Sequence, residues 1–290
     1  MKSAYFPGCS LLGTAKEYDL SNRAVFRELG VELPEVEDWS CCGSTATPSY
    51  SRLLSLVLPA RNLALAERMG SSIVAPCAAC FNRLAMTNLS LREDGEMRDR
   101  VNEVLSTLNL NYNGKVEVRH LLDFYLNEID LETLSKHVVK PLDGLRAVPY
   151  YGCLTVRPKT INTFDDTLNP SSLDQLIDVT GAECLEWMNK TKCCGASLII
   201  TKEDVALKLT KGLLLDAERV GAQCIVVACP FCHFNLDAKQ GDVKRMSKKE
   251  IPILYFTQLL GLALGIDWKE LALDKNSVSP FGMLRKWFPE

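Results

Sequence analysis

Sulfur is where this chain could do chemistry. Of its 290 residues, twelve are cysteine, at positions 9, 41, 42, 77, 80, 153, 184, 193, 194, 224, 229 and 232. With Cys184 and Cys224 set aside, ten remain, and they form two sets of one design. In the first, 31 residues separate Cys9 from the run Cys41-Cys42-Gly43, and 34 separate Cys42 from the pair Cys77-x-x-Cys80. In the second, 39 residues separate Cys153 from Cys193-Cys194-Gly195, and again 34 separate Cys194 from Cys229-x-x-Cys232. Thiolates bind zinc, copper(I) or iron–sulfur clusters. A structural zinc ion takes four ligands, so five cysteines per set are one too many. Neighbouring side chains such as Cys41 and Cys42 diverge, which suits several irons better than one ion. A cubane cluster also takes four thiolates, so the fifth is either a spare ligand or the mark of an unusual cluster. Gly43 and Gly195 let the backbone turn sharply beside the metal.

Three other uses of these residues compete. Cys229-Pro230-Phe231-Cys232-His233 has the form of a c-type haem attachment site. The matching stretch of the first set ends Cys80-Phe81, however, and the opening residues MKSAYFPGCS lack the apolar stretch of a signal peptide. A CxxC that opens a helix after a strand also suits a thioredoxin-like dithiol, but that leaves Cys9, Cys153 and both Cys-Cys-Gly runs without a task. Cys184 and Cys224 are expected in strands as buried, inert residues, since free cysteine behaves as a small hydrophobe. His120 and His137 are expected in helical stretches, partly exposed or hydrogen-bonded. His233 abuts a cysteine of the second set and is a candidate to tune a cluster or carry a proton, because histidine titrates near neutrality.

Two like sets of sulfur need two like scaffolds, and the flanking sequence repeats along with the cysteines. Tyr5-Phe6-Pro7-Gly8-Cys9 answers Tyr150-Tyr151-Gly152-Cys153. Ala66-Glu67-Arg68-Met69-Gly70 answers Ala217-Glu218-Arg219-Val220-Gly221, and Ile73-Val74-Ala75-Pro76-Cys77 answers Ile225-Val226-Val227-Ala228-Cys229. This is an internal repeat at domain scale. It divides the chain into residues 1–140 and 145–290, with the boundary in the polar, turn-rich stretch from Lys140 to Gly144. Strands are expected at 4–6, 72–75 and 116–118 and again at 146–150, 223–228 and 253–255. Helices are expected at 14–29 and 50–69, at 172–180 and 202–220, and after each CxxC. The alternation predicts an α/β fold of two tandem, pseudo-twofold-related repeats, each a mainly parallel sheet flanked by helices. Cysteines then gather at the C-terminal strand ends, where such folds build sites. The order of the strands does not follow from the pattern.

The bulk composition, 47% hydrophobic and 24% charged with net charge −3, is that of a soluble globular protein. No basic stripe marks a nucleic-acid binder. The longest apolar run, residues 252–266, is too short for a membrane span and holds Thr257, Gln258 and two glycines. A cytoplasmic location is expected.

With the paired motif on the page, the chain resembles the cysteine-rich CCG-domain family, and within it the heterodisulfide reductase B subunits of methanogenic archaea. The resemblance covers nearly the whole chain. It implies two noncubane [4Fe-4S] clusters, one on Cys9, Cys41, Cys42, Cys77 and Cys80 and the other on Cys153, Cys193, Cys194, Cys229 and Cys232, with no ligand position missing. It implies reduction of the mixed disulfide of coenzyme M and coenzyme B to the two thiols, the last step of methanogenesis, at a site between the clusters. Other CCG oxidoreductases carry a ferredoxin-like C-x-x-C-x-x-C-x-x-x-C-P run, which is absent here. Electrons would therefore come from partners: the ferredoxin-like C subunit and the flavin-containing A subunit of the same reductase and, beyond them, a hydrogenase or formate dehydrogenase module. Anionic groups on the substrate call for cations, and Arg157, Lys159, Lys190 and Lys192 flank ligands of the second set. The alternative is a non-catalytic relay subunit whose clusters only wire partners together. The aromatic, basic stretch from Val278 to Phe288 either docks a partner or packs on its own domain.

Overall fold

The computed structural model describes residues 2–44, 47–243 and 250–288. In the first repeat, β1 (Lys2–Tyr5) leads through the short α1 (Gly8–Leu12) into α2 (Lys16–Glu28), after which the chain returns beside β1 and Glu35 bridges to Tyr5 in parallel. α3 (Thr47–Tyr50) and α4 (Arg52–Arg68) cross to β2 (Ser71–Ala75). α5 (Ala78–Glu93), α6 (Gly95–Ser106), β3 (Val118–His120), α7 (Leu121–Phe124) and α8 (Leu131–His137) follow. The second repeat runs β4 (Arg146–Tyr150), α9 (Ser172–Asp178), β5 (Glu183–Cys184), α10 (Glu203–Arg219), β6 (Cys224–Val227) and α11 (Pro230–Asp237). It continues through α12 (Gln240–Val243), β7 (Ile253–Tyr255) and α13 (Phe256–Ala263) to α14 (Phe281–Leu284).

Each sheet is parallel, ordered β1-β2-β3 in the first repeat and β5-β4-β6-β7 in the second. The Glu35 bridge occupies the place that β5 takes in the second sheet, so both repeats have one topology. The chain steps outward from β4 to β5, then back across to β6. That reversal puts a crevice at the C-terminal ends of β4 and β6, and of β1 and β2 in the first repeat, the usual position for a site in an open α/β sheet. The inner strands β2 (Ser-Ser-Ile-Val-Ala) and β6 (Cys-Ile-Val-Val) are buried along their whole length, as parallel strands covered on both faces must be. Each buried valine or isoleucine contributes roughly 1.5–3 kcal/mol.

The repeats meet reciprocally. α2 of the first packs on α13 of the second, and α9 of the second packs on α7 of the first. Tyr18 on α2 stacks on Tyr255 at the end of β7 with ring centres 4.1 Å apart. In the related contact, Phe164 of the second repeat lies parallel to His120 at the end of β3, 6.3 Å away. Ser21 and Thr257 hydroxyls bond across the seam at 2.7 Å. The described part of the C-terminal stretch packs on its own chain: Lys286 Nζ donates to Asp143 O at 2.7 Å, and Lys140 Nζ lies 3.7 Å from the centre of the Phe288 ring.

Some expectations need correcting. β3 starts at Val118 rather than Val116; just before it, Val116 O accepts from Asn88 Nδ2 rather than from a strand neighbour. His120 thus ends a strand instead of lying in a helix. It is fully buried, its Nδ1 accepting from Leu122 N to cap α7. Burial holds it down to about 3. His137 ends α8 and is exposed, as expected. Cys224 is fully buried, but Cys184 sits on the edge strand and is only half-buried.

Candidate metal centre

Each repeat brings its five cysteines to the crevice of its own sheet. Cys9 follows β1 on the first turn of α1, Cys77 follows β2, and Cys80 lies in the first turn of α5. Cys153 follows β4, Cys229 follows β6, and Cys232 lies in α11. The Cys-Cys-Gly loops close both nests. In the first, Cys9 Sγ lies 3.8 Å from Cys41 Sγ and Cys42 Sγ lies 3.3 Å from Cys80 Sγ. In the second, Cys194 Sγ and Cys232 Sγ are 3.6 Å apart, and Cys153 is within reach of Cys193. Gly43 N and Gly195 N donate to Cys41 Sγ and Cys193 Sγ at 3.4 and 3.3 Å. Six thiols are buried, at 42, 77, 80, 194, 229 and 232, whereas Cys9, Cys41 and Cys193 are exposed and Cys153 is intermediate. Each nest is therefore dry at the back and open at the front.

The walls are shaped to the sulfur. Gly8 and Gly152 both have φ +68°, and a Cβ on either would lie 2.8 Å from Cys80 Sγ or Cys232 Sγ. Only glycine fits there. The loops are tied from behind. Asn62, buried in α4, accepts from Ser40 N at 2.8 Å and donates to Ser40 O at 2.9 Å, gripping the residue before Cys41. In the second repeat Asn235 Nδ2 donates to Cys194 O at 2.6 Å and to Thr210 Oγ1 at 2.8 Å.

Crowding splits the thiols by protonation. Hydrogen bonds with Cys41 and Cys80 hold Cys42 down to about 4, helped by the charge of Arg83, while Cys80 is pushed well up by its contacts with Cys42 and Cys77 and by burial. Cys194 is held at about 7, chiefly by Cys232, and burial raises Cys153 to about 12. Five thiolates packed this closely repel one another, so full ionisation needs a compensating cation. Among the described residues no three His, Cys, Asp or Glu side chains are gathered around one point as a single ion needs; the sulfurs stand as close pairs. All-thiol donors, a buried back and glycines cut to the sulfur fit an iron–sulfur group.

The remaining candidates divide. His233 is buried beside Cys232, but both its ring nitrogens turn elsewhere: Nε2 donates to Ile253 O at 3.1 Å, and Nδ1 lies 3.8 Å from Glu17 Oε1 of the other repeat. Burial lowers His233 to about 3 and raises Glu17 to about 7. Of the four cations, Lys190 is engaged by Asp174 at 2.9 Å and by Pro170 O. Arg157, Lys159 and Lys192 are exposed, and Asn82, two residues after Cys80, donates to Arg157 O across the seam at 2.7 Å. The sequence pattern passed over Arg83, half-buried and three residues after Cys80, along with Glu17, Asn62, Asn235, Tyr18 and Tyr255. The spacing of Arg83 from Cys80, one helical turn, was the available signal for it.

The family model described as a cysteine-rich domain, CCG, matches residues 3–85 and 147–237, which hold all ten nest cysteines. The chain belongs to the cysteine-rich CCG-domain family. Among curated CCG relatives, an 8-methylmenaquinol:fumarate reductase membrane anchor subunit of Wolinella succinogenes is 36% identical over 277 residues, 95% of this chain and 96% of that one. The B subunit of a ferredoxin/F(420)H(2)-dependent CoB-CoM heterodisulfide reductase of Methanosarcina acetivorans is 32% identical over 290 residues, 98% of this chain and 96% of that one. Among solved structures, a hypothetical protein from Helicobacter pylori superposes with a TM-score of 0.73 at 15% identity, over 95% of this chain and 52% of that one. It shares the CCG fold. No described helix is long and apolar enough to cross a membrane.

Proposed function

We propose that this CCG chain is the catalytic iron–sulfur subunit of a disulfide reductase of the heterodisulfide type. Its substrate is the mixed disulfide of coenzyme M and coenzyme B, reduced between two noncubane [4Fe-4S] clusters. The observation that carries this reading is the pair of complete five-thiol nests, each open on one side. Cys9, Cys41, Cys42, Cys77 and Cys80 hold one cluster; Cys153, Cys193, Cys194, Cys229 and Cys232 hold the other. When bound, such clusters supply electrons singly and iron sites with affinity for sulfur. A disulfide takes two electrons, so two one-electron centres match the reaction. The chain itself keeps water from the back of each nest and fixes the Cys-Cys-Gly loops through Asn62 and Asn235. It also offers Arg157, Lys159 and Lys192 to anionic substrate groups. Residues 1–140 and 145–290 are the two units. The ferredoxin-like C subunit and the flavin-containing A subunit of such a reductase supply the electrons in the cytoplasm, fed by a hydrogenase or formate dehydrogenase module.

A second reading is favoured by the Wolinella relative, the more similar of the two curated proteins compared: a relay subunit that passes electrons in another oxidoreductase complex. One anaerobic preparation separates the readings. About eight irons with matching acid-labile sulfide per chain are expected, together with a new paramagnetic signal on adding substrate thiol and disulfide reduction by an artificial one-electron donor. Two zinc ions and little iron would overturn the cluster reading. Full iron with no disulfide reduction would leave the relay.

A further inference from the structure

Aromatic rings stack across the seam between the two repeats. Tyr18 of the first repeat and Tyr255 of the second are fully buried and stack almost parallel, 7° apart, with centres separated by 4.1 Å. Tyr255 stacks again on His233, at 4.1 Å and 11°, and His233 is the chain neighbour of Cys232. Tyr18 donates its hydroxyl to Ala228 O at 3.2 Å, and Ala228 is the chain neighbour of Cys229. On the other side, Tyr18 lies on α2, which packs against α1, the helix that carries Cys9. Burial raises both phenols, and negative charge on Cys229 or Cys77 adds to it. A continuous stack of three rings, His233, Tyr255 and Tyr18, thus starts beside Cys232 and crosses the seam to α2 of the first repeat.

Packing alone does not account for this arrangement. The related position of the first repeat is His120, which meets Phe164 only at 6.3 Å. The tight stack is therefore a feature of one side of the seam and not a by-product of the duplication.

We propose that the Tyr18–Tyr255 stack is the electronic bridge between the two nests, through which one electron passes from the iron–sulfur group of one repeat to that of the other. The inference rests on the two-cluster reading above. The transfer is balanced: one centre loses the electron, the other gains it, and the rings are neither oxidised nor deprotonated. Burial raises both phenols well above their ordinary range, which keeps them neutral throughout. For a two-electron substrate the bridge lets electrons arriving singly at one nest be shared by both.

The test uses the full chain with both clusters loaded. A short pulse of one-electron reductant is followed by freeze-quench paramagnetic resonance, and the rate at which the electron redistributes between the two centres is read directly. Tyr18→Phe and Tyr255→Phe keep the rings and should keep the rate. Tyr18→Leu and Tyr255→Leu remove them and should slow redistribution by about tenfold or more, with iron content unchanged. Should a Leu variant not hold its iron, Met at the same position preserves the volume without the ring and replaces it. An unchanged rate in the ring-less variants would overturn the bridge, as would a Phe variant as slow as its Leu counterpart, since the hydroxyl would then be the active part. A wild-type chain without two iron–sulfur centres would instead refute the underlying cluster reading, and iron analysis shows this before any rate is measured.

Discussion

In the first repeat, the strand before Cys9 is followed by Phe6, which packs on Trp39 with ring centres 5.4 Å apart. In the second, the related residue is Tyr150, whose hydroxyl donates to Lys192 O at 2.6 Å and whose phenol is raised by burial and by the charge of Cys232, Cys194, Cys193 and Cys153. One turn past the CxxC, the first repeat has Arg83 and the second Asn235. The residue after the CxxC is Phe81 in one and His233 in the other. The strand end it packs against is His120 in one and Tyr255 in the other, so histidine and aromatic have exchanged places. Sulfur positions, glycines and strand order are common to both repeats; the groups behind the sulfur are not. The frame answers to ligand geometry, which leaves little freedom, while the surrounding charge and hydrogen bonding can diverge and give two similar nests different electronic settings.

The comparison breaks most sharply at the ligands. Cys42→Ser should lose or distort only the metal of the first repeat and Cys194→Ser only that of the second, with thermal stability falling because metal binding is partly folding energy. Cys224→Ser and Cys184→Ser should keep full iron. Equal iron loss in all four variants would show that the nests are not independent. Gly8→Ala and Gly152→Ala come next. Each combines an unfavourable φ, about 1–3 kcal/mol, with a Cβ on top of a ligand sulfur. Each should lower the melting temperature and release iron from its own repeat alone, as iron content and paramagnetic resonance would report. Smaller again is loop anchoring. Asn62→Ala and Asn235→Ala should each cost about 1–3 kcal/mol by denaturant titration, since each strands buried backbone groups. An effect confined to one of them would mean that the two loops are held by different means.

The two groups of five cysteines were legible because sulfur repeated at that spacing has few other uses, and each repeat folds its own five toward one crevice. The inner strands that lead to Cys77 and Cys229 were legible because a strand covered on both faces is rich in apolar residues. Strand order was not, because a parallel register is set by contacts between distant segments, such as Val148 beside Ile225. The second strand of the first sheet has shrunk to the single Glu35 bridge, too short to leave any periodicity. His120 was misplaced because its burial comes from Phe81 and Phe164, neither of which is near it in sequence. Glu17 sits in the first turn of α2, where acidic residues are common, and only the second repeat packed against it gives it His233 as a neighbour.

The smallest expected effect tests the divergence itself. Arg83 is half-buried, and its charge already acts on Cys42; among the described residues it has no ion-pair partner. A cation beside a thiolate-bound redox group favours the form carrying more negative charge, so the first centre should be easier to reduce than its environment without Arg83 would make it. Solvent screens much of this, leaving on the order of 1 kcal/mol, or roughly 40 mV for one electron. Arg83→Gln should lower the potential of the first centre by about that amount, and Arg83→Lys should largely restore it. The second centre, which has the neutral Asn235 at the related position, should not move. A redox titration followed by paramagnetic resonance reads both centres in one sample. A shift in the second centre alone, or none in the first, would mean that the charge of Arg83 is neutralised by solvent and that the asymmetry of the repeats lies with Tyr150 and His233 instead.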